Sequence, residues 1–92
     1  MKIGHAILDT LRDDRDYPFA KGSHWSRNTR LASTSVYVRV RRAGGSIEDA
    51  EAASEQTVAV MDAARDAVKG TDARYAYAIR LVLHALDDPL ER

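Results

Sequence analysis

Ser35-Val36-Tyr37-Val38-Arg39-Val40-Arg41-Arg42 is the stretch on which the fold reading turns. Val36, Val38 and Val40 alternate with Tyr37, Arg39 and Arg41. A period of two is that of a half-buried strand, with valines toward a core and the Tyr/Arg side toward water or a ligand. The pattern predicts a strand over 36–42. Upstream, Arg30 to Ser35 reads either as an earlier part of the same strand or as its antiparallel neighbour, and no Asn-Gly or Asp-Gly hairpin signal marks a turn between them. A lone strand leaves its backbone groups unpaired, so it requires a second strand in this chain or in another copy.

Downstream, Gly44-Gly45 breaks the pattern, and Ser46 followed by Asp49 has the form of a helix N-cap with an acid in the first turn. Residues 47 to 69 contain neither Pro nor Gly, and Ala50, Ala53, Thr57, Val60, Met61, Ala64, Ala67 and Val68 trace one helical stripe. A helix over 46–69 is predicted, with an acidic outer face of Glu48, Glu51, Glu55, Asp62 and Asp66. Gly70 suits a helix stop, and Thr71 or Asp72 suits the cap of a further helix over 73–87 that ends before Asp88-Pro89. The two helices are expected to form a hairpin. Apolar residues cover most of the circumference of the second, which implies a central helix or a homodimer contact.

On the other side of the decisive stretch, Ile3, Ile7, Leu8 and Leu11 recur at helical spacing and predict a short helix over Ile3–Asp13. Pro18 and Gly22-Ser23 then predict a long loop over 14–28. Three of the six aromatics, Tyr17, Phe19 and Trp25, fall within it, which implies that the loop packs or binds. Together these elements predict one α+β domain spanning 1–92, a small antiparallel sheet with about three helices.

Ninety-two residues, 45% apolar and 30% charged, suit one small globular domain rather than a disordered chain. Cysteine is absent, which removes disulfides, thiolate metal sites and a cysteine nucleophile. Asp9, Arg12 and Asp13 come too early for a secretory apolar core, and no run reaches membrane-spanning length, so a cytoplasmic protein with no membrane partner is expected. The zero net charge hides a separation: residues 1–45 carry nine Lys/Arg against four Asp/Glu, and residues 46–92 carry five against ten. Lys21, Arg27, Arg30, Arg39, Arg41 and Arg42 form an acid-free block. Either the block is neutralised by the chain's own acidic helix, or it faces a phosphate or an acidic partner.

Signs of catalysis are weak. His5, His24 and His84 lack metal-ligand spacing, and Arg15 interrupts the Asp13, Asp14, Asp16 cluster. Gly44-Gly45 and Lys21-Gly22-Ser23 lack the frame of a phosphate-binding loop, and no serine stands on a nucleophile elbow. A non-enzymatic protein without metal or cofactor is expected.

Tyr37, Arg39 and Arg41 alternating on a strand, followed by two helices, resemble the ribbon-helix-helix repressors over residues 36–87. The resemblance implies paired strands of a dimer entering a DNA groove. Two functions follow. The first is a module contacting nucleic acid or a nucleoprotein through segment 21–42, with Arg27, Arg30, Arg39 and Arg41 on phosphates and Trp25 and Tyr37 stacking. The second is a small phage-type accessory or inhibitor protein whose acidic face, Glu48, Glu51, Glu55, Asp62 and Asp66, occupies a basic groove of a nucleic-acid-handling partner.

Overall fold

The computed structural model describes residues 3–16 and 24–86. They form four helices: α1 (Ile3–Asp16), α2 (Trp25–Arg42), α3 (Ile47–Ala67) and α4 (Thr71–Leu86). No strand occurs among the described residues, so the expected sheet, the strand over 36–42 and the α+β class are corrected to an all-α fold. The likeness to ribbon-helix-helix repressors falls with the strand. The loop expected over 14–28 is also shortened, because Asp14–Asp16 complete α1 and Trp25–Asn28 open α2. Tyr17, Phe19 and Lys21 lie outside the described residues, as do Asp87, Asp88 and Pro89.

The physical reason for the correction lies in the residues before the valines. Trp25, Asn28, Thr29, Ala32, Val36 and Val40 are all buried and recur every three or four positions, so they trace one stripe along an 18-residue helix. Val36 and Val40 are an i, i+4 pair within that stripe, whereas Val38 points outward and is 39% exposed. Valine's lower helix propensity costs a few tenths of a kcal/mol per residue, while complete burial of a valine contributes about 1.5–3 kcal/mol. Burial along the longer stripe wins.

The helices close into a ring in which α1 packs on α2 and α4, and α3 packs on α2 and α4. Leu11, Ala32, Val36, Ala50, Ala53, Met61, Ala64 and Ala78 form the solvent-free centre. Three alanines of α3 stand among them and let its neighbours approach closely. α4 packs on α1 and α3 and buries the stripe of Tyr75, Ala78 and Val82, while its Leu83 stays 38% exposed. The buried Thr10, Thr29 and Thr57 hydroxyls donate to the carbonyls of Ala6, Trp25 and Ala53 at 2.8, 3.0 and 2.8 Å, so these polar groups enter the core satisfied.

The turn between α2 and α3 is written in the two glycines. Gly44 adopts φ +92°, and the Gly45 and Gly44 amides donate to Val40 O and Arg41 O at 2.9 and 3.1 Å, a Schellman closure. Ser46 then caps α3, its hydroxyl accepting from the Asp49 amide at 3.0 Å. After α3, the Arg74 guanidinium donates to Val68 O and Arg65 O at 3.0 and 3.2 Å, satisfying carbonyls at the helix end. No described helix is long and apolar enough to cross a membrane.

Candidate polyanion-binding face

Replacing a strand by a helix redistributes the predicted site. On a strand Tyr37, Arg39 and Arg41 share one side; on a helix at 3.6 residues per turn they do not. Arg39 turns toward α1, where its guanidinium meets the Asp13 carboxylate at 2.6 Å and Asp9 at 4.0 Å. Tyr37 is half-buried and packs against the core. Trp25 is buried at 7% exposure: its indole N–H donates to Met61 O at 2.8 Å, and its ring meets Tyr75 edge-on at 5.0 Å. Arg74 lies over the same ring at 5.8 Å. Trp25 is committed to the core, so its stacking role is corrected, whereas Tyr37 keeps a half-exposed ring and Arg39 is held by a partly exposed ion pair to Asp13.

Three predicted residues stay outside. Arg27, Arg30 and Arg41 are exposed and make no ion pair among the described residues, and Arg42 joins them. Arg42, part of the acid-free block but not among the predicted contacts, stands about 60° around the helix from Arg39 and is exposed at the end of α2. Arg41 also donates to Gly45 O at 3.1 Å. Cations in the last turn of a helix are favoured by its dipole, which accounts for part of the cluster at Arg39, Arg41 and Arg42. The dipole does not account for Arg27 and Arg30. Arg27 stands in the first turn of α2, where positive charge costs a few tenths of a kcal/mol and no acid offsets it, and Arg30 stands in the second turn, where the dipole no longer favours or opposes it appreciably. Beside the outer face, Thr34, Ser35, Val38, Arg39, Arg42 and Ala43 line an open depression of about 660 Å³.

The acids of α3 share its outer side. Glu48, Glu51, Glu55 and Asp66 are exposed and Asp62 is partly so. Arg65 bridges Asp62 at 3.5 Å and Asp66 at 3.1 Å, weakening the C-terminal part of the row. No ion pair joins α2 to α3 among the described residues; the one long-range pairing runs from Arg39 to α1.

Asp14 of α1 and Tyr75 of α4 are the acids with clearly raised pKa among the described residues. Burial, reinforced by neighbouring Asp13 and opposed by Arg39, raises the Asp14 carboxyl above its ordinary range. Burial, and then the Asp14 charge, push the Tyr75 phenol up to about 12. Among the described residues no cluster of His, Asp or Glu is placed to hold a metal.

Fold and surface together define a small all-α protein with a cationic helix face beside an acidic one. No family model, curated protein or solved structure matches the chain.

Proposed function

We propose that this is a non-enzymatic binding module that engages nucleic acid, or the nucleic acid of a nucleoprotein, through the outer face of α2. The observation that carries the reading is the placement of Arg27 and Arg30, both exposed and without ion pairs among the described residues, with Arg27 also against the helix dipole. Neither an ion pair among the described residues nor the helix dipole accounts for Arg27, and an external anion would supply the missing partner. From Arg27 to Arg41 the face runs about 21 Å at 1.5 Å per residue, roughly six base pairs of duplex. α2 contributes no carboxylate to repel phosphate. Binding of this kind is dominated by counterion release and tracks backbone charge rather than base identity.

The test is retardation of labelled DNA and RNA by the full chain at two salt concentrations. Wild type is expected to bind at low salt with a steep salt dependence. Arg27→Ala plus Arg30→Ala is expected to reduce the logarithmic salt slope by roughly two while leaving helix content unchanged. Absence of retardation at low salt overturns the reading.

A second reading rests on the α3 row, which spans about 27 Å from Glu48 to Asp66. An accessory or inhibitor protein using it would bind a basic nucleic-acid-handling partner and no nucleic acid, and Glu51→Lys plus Glu55→Lys would abolish that capture.

A further inference from the structure

Along α2, Arg27, Arg30, Thr34, Tyr37 and Arg41 recur at spacings of three, four, three and four; along α3, Glu48, Glu51, Glu55, Val58 and Asp62 recur at the same spacings. A three-four repeat keeps side chains on one side of a helix over several turns. On α2, Arg39 marks the side turned to α1, and at about 100° per residue Arg30 and Arg41 lie roughly opposite it. On α3, Gln56 and Val60 line a small cavity shared with α1 and α4, and Glu51, Glu55, Val58 and Asp62 lie about 100–180° away from them. Both rows therefore look out from the α2–α3 layer, on the side remote from α1 and α4.

That layer is divided lengthwise into a cationic half and an anionic half that do not pair with each other within the described residues. The Trp25–Met61 hydrogen bond sets the level of the two helices: the start of α2 stands beside residues near 61, and its end beside the start of α3.

We infer that two copies of the chain associate face to face through this layer, with α2 of each lying across α3 of the other. The charge pattern selects the symmetry. A two-fold axis lying across the helices sets α2 on α2 and brings like charges together, whereas one running along them sets each cationic row on an anionic row. The second arrangement places Arg41 level with Glu48 of the second copy, and Arg27 level with Asp62. In the same register Tyr37, half-buried, stands beside Glu51 of the second copy and Val58, 36% exposed, stands beside Arg30 of it, so each adds apolar surface between the charged ends rather than to one shared centre.

A face about 21 Å long and two helices wide buries roughly 800–1,000 Å² in total, which belongs to the weak, reversible class of interfaces. Its charged character makes it sensitive to salt. Arg27, Arg30 and Arg41 also belong to the polyanion face, so nucleic acid and the second copy compete for them; the association itself needs no polyanion.

The experiment is sedimentation equilibrium of the full chain, free of nucleic acid, at about 20 mM and about 500 mM salt. Wild type is expected to move from 10.2 kDa toward twice that mass at low salt and to return at high salt. Arg30→Glu plus Arg41→Glu, and separately Glu51→Arg plus Glu55→Arg, are each expected to stay monomeric with unchanged circular dichroism. An equimolar mixture of the two variants is expected to recover the double mass, because reversal on both sides restores complementarity. A control, Asp16→Arg plus Asp72→Arg, carries the same net charge as the second variant but keeps both rows; it is expected to dimerise with itself as wild type does, and a fluorescently labelled sample of the first variant, followed at the label's wavelength, is expected to stay monomeric when mixed with it. A wild type that stays monomeric at low salt, a single variant that still dimerises, or a mixture that fails to recover overturns the proposal. Equal pairing of the first variant with the control overturns it too.

Discussion

The indole N–H of Trp25 donates to the carbonyl of Met61 at 2.8 Å, joining the first turn of α2 to the last third of α3. The bond lies under the Tyr75 ring and beside Arg74, so one side chain ties three helices together. Trp25→Phe keeps most of the ring volume but removes the donor, and is expected to cost about 1–2 kcal/mol. Trp25→Ala also opens a cavity and is expected to cost about 3–5 kcal/mol. Urea unfolding followed by circular dichroism measures both, since Trp25 is the chain's single tryptophan and its fluorescence is lost with it.

The turn between α2 and α3 predicts two glycine effects with different causes. A Cβ on Gly45 would stand 2.5 Å from Val40 Cγ1 and 2.9 Å from Val40 O, so Gly45→Ala forces the Schellman closure apart. At Gly44 there is open space but φ is +92°, so Gly44→Ala carries only the left-handed backbone penalty of about 1–2 kcal/mol. Gly45→Ala is expected to be the more damaging in denaturant midpoint, and equal or reversed effects would contradict the described turn.

Asp14 and Tyr75 predict the pH dependence of stability. The Asp14 pKa is raised above 3.8 in the folded state, so its contribution is fully present below 3.8 and is lost as pH rises through the raised value. Asp14→Asn is expected to raise the melting temperature near pH 7, an advantage that fades as the pH falls through the raised folded value and is gone below 3.8. Tyr75 moves from 10.0 to about 12, so the unfolded chain releases its proton first and stability declines as pH climbs between those values. The loss from this group is roughly 2–3 kcal/mol. Tyr75→Phe removes that part of the alkaline decline, which thermal melts at pH 9 to 12 would register.

Val36 and Val38 separate the helix from the strand that their spacing suggests. A strand places both in the core; the helix buries Val36 completely and leaves Val38 39% exposed. Val36→Ala is expected to cost about 1.5–2.5 kcal/mol. Val38→Ala is expected to stay within about 0.5 kcal/mol and on the stabilising side, through alanine's higher helix propensity. Comparable losses at both positions would speak for a strand.

α1, α3 and α4 were readable from residue order because their signals are local. Ile3, Ile7 and Leu11 mark one helix, the Ser46 cap and the alanine-rich run to Ala67 mark another, and Gly70 separates that run from α4. The acidic row on α3 was readable for the same reason: residues three and four apart in a long helix share a side whatever surrounds them. The segment holding Val36, Val38 and Val40 was not, because six alternating residues satisfy a period of two while containing an i, i+4 pair. Which period is used depends on which valines meet a buried surface, and α1 and α3, which pack on α2, supply that surface from other parts of the chain.

The candidate site divides along the same line. Sequence by itself determined that positive charge is concentrated ahead of residue 45 and negative charge behind it, since charge belongs to residues wherever they are placed. Only the tertiary structure decided that Arg39 is held by Asp13, that Trp25 is committed to Met61 and Tyr75, and that Arg27, Arg30, Arg41 and Arg42 remain at the surface. The reason is that exposure and pairing are set by the distance between groups, and neighbours in space such as Asp13 and Arg39 stand 26 positions apart along the chain.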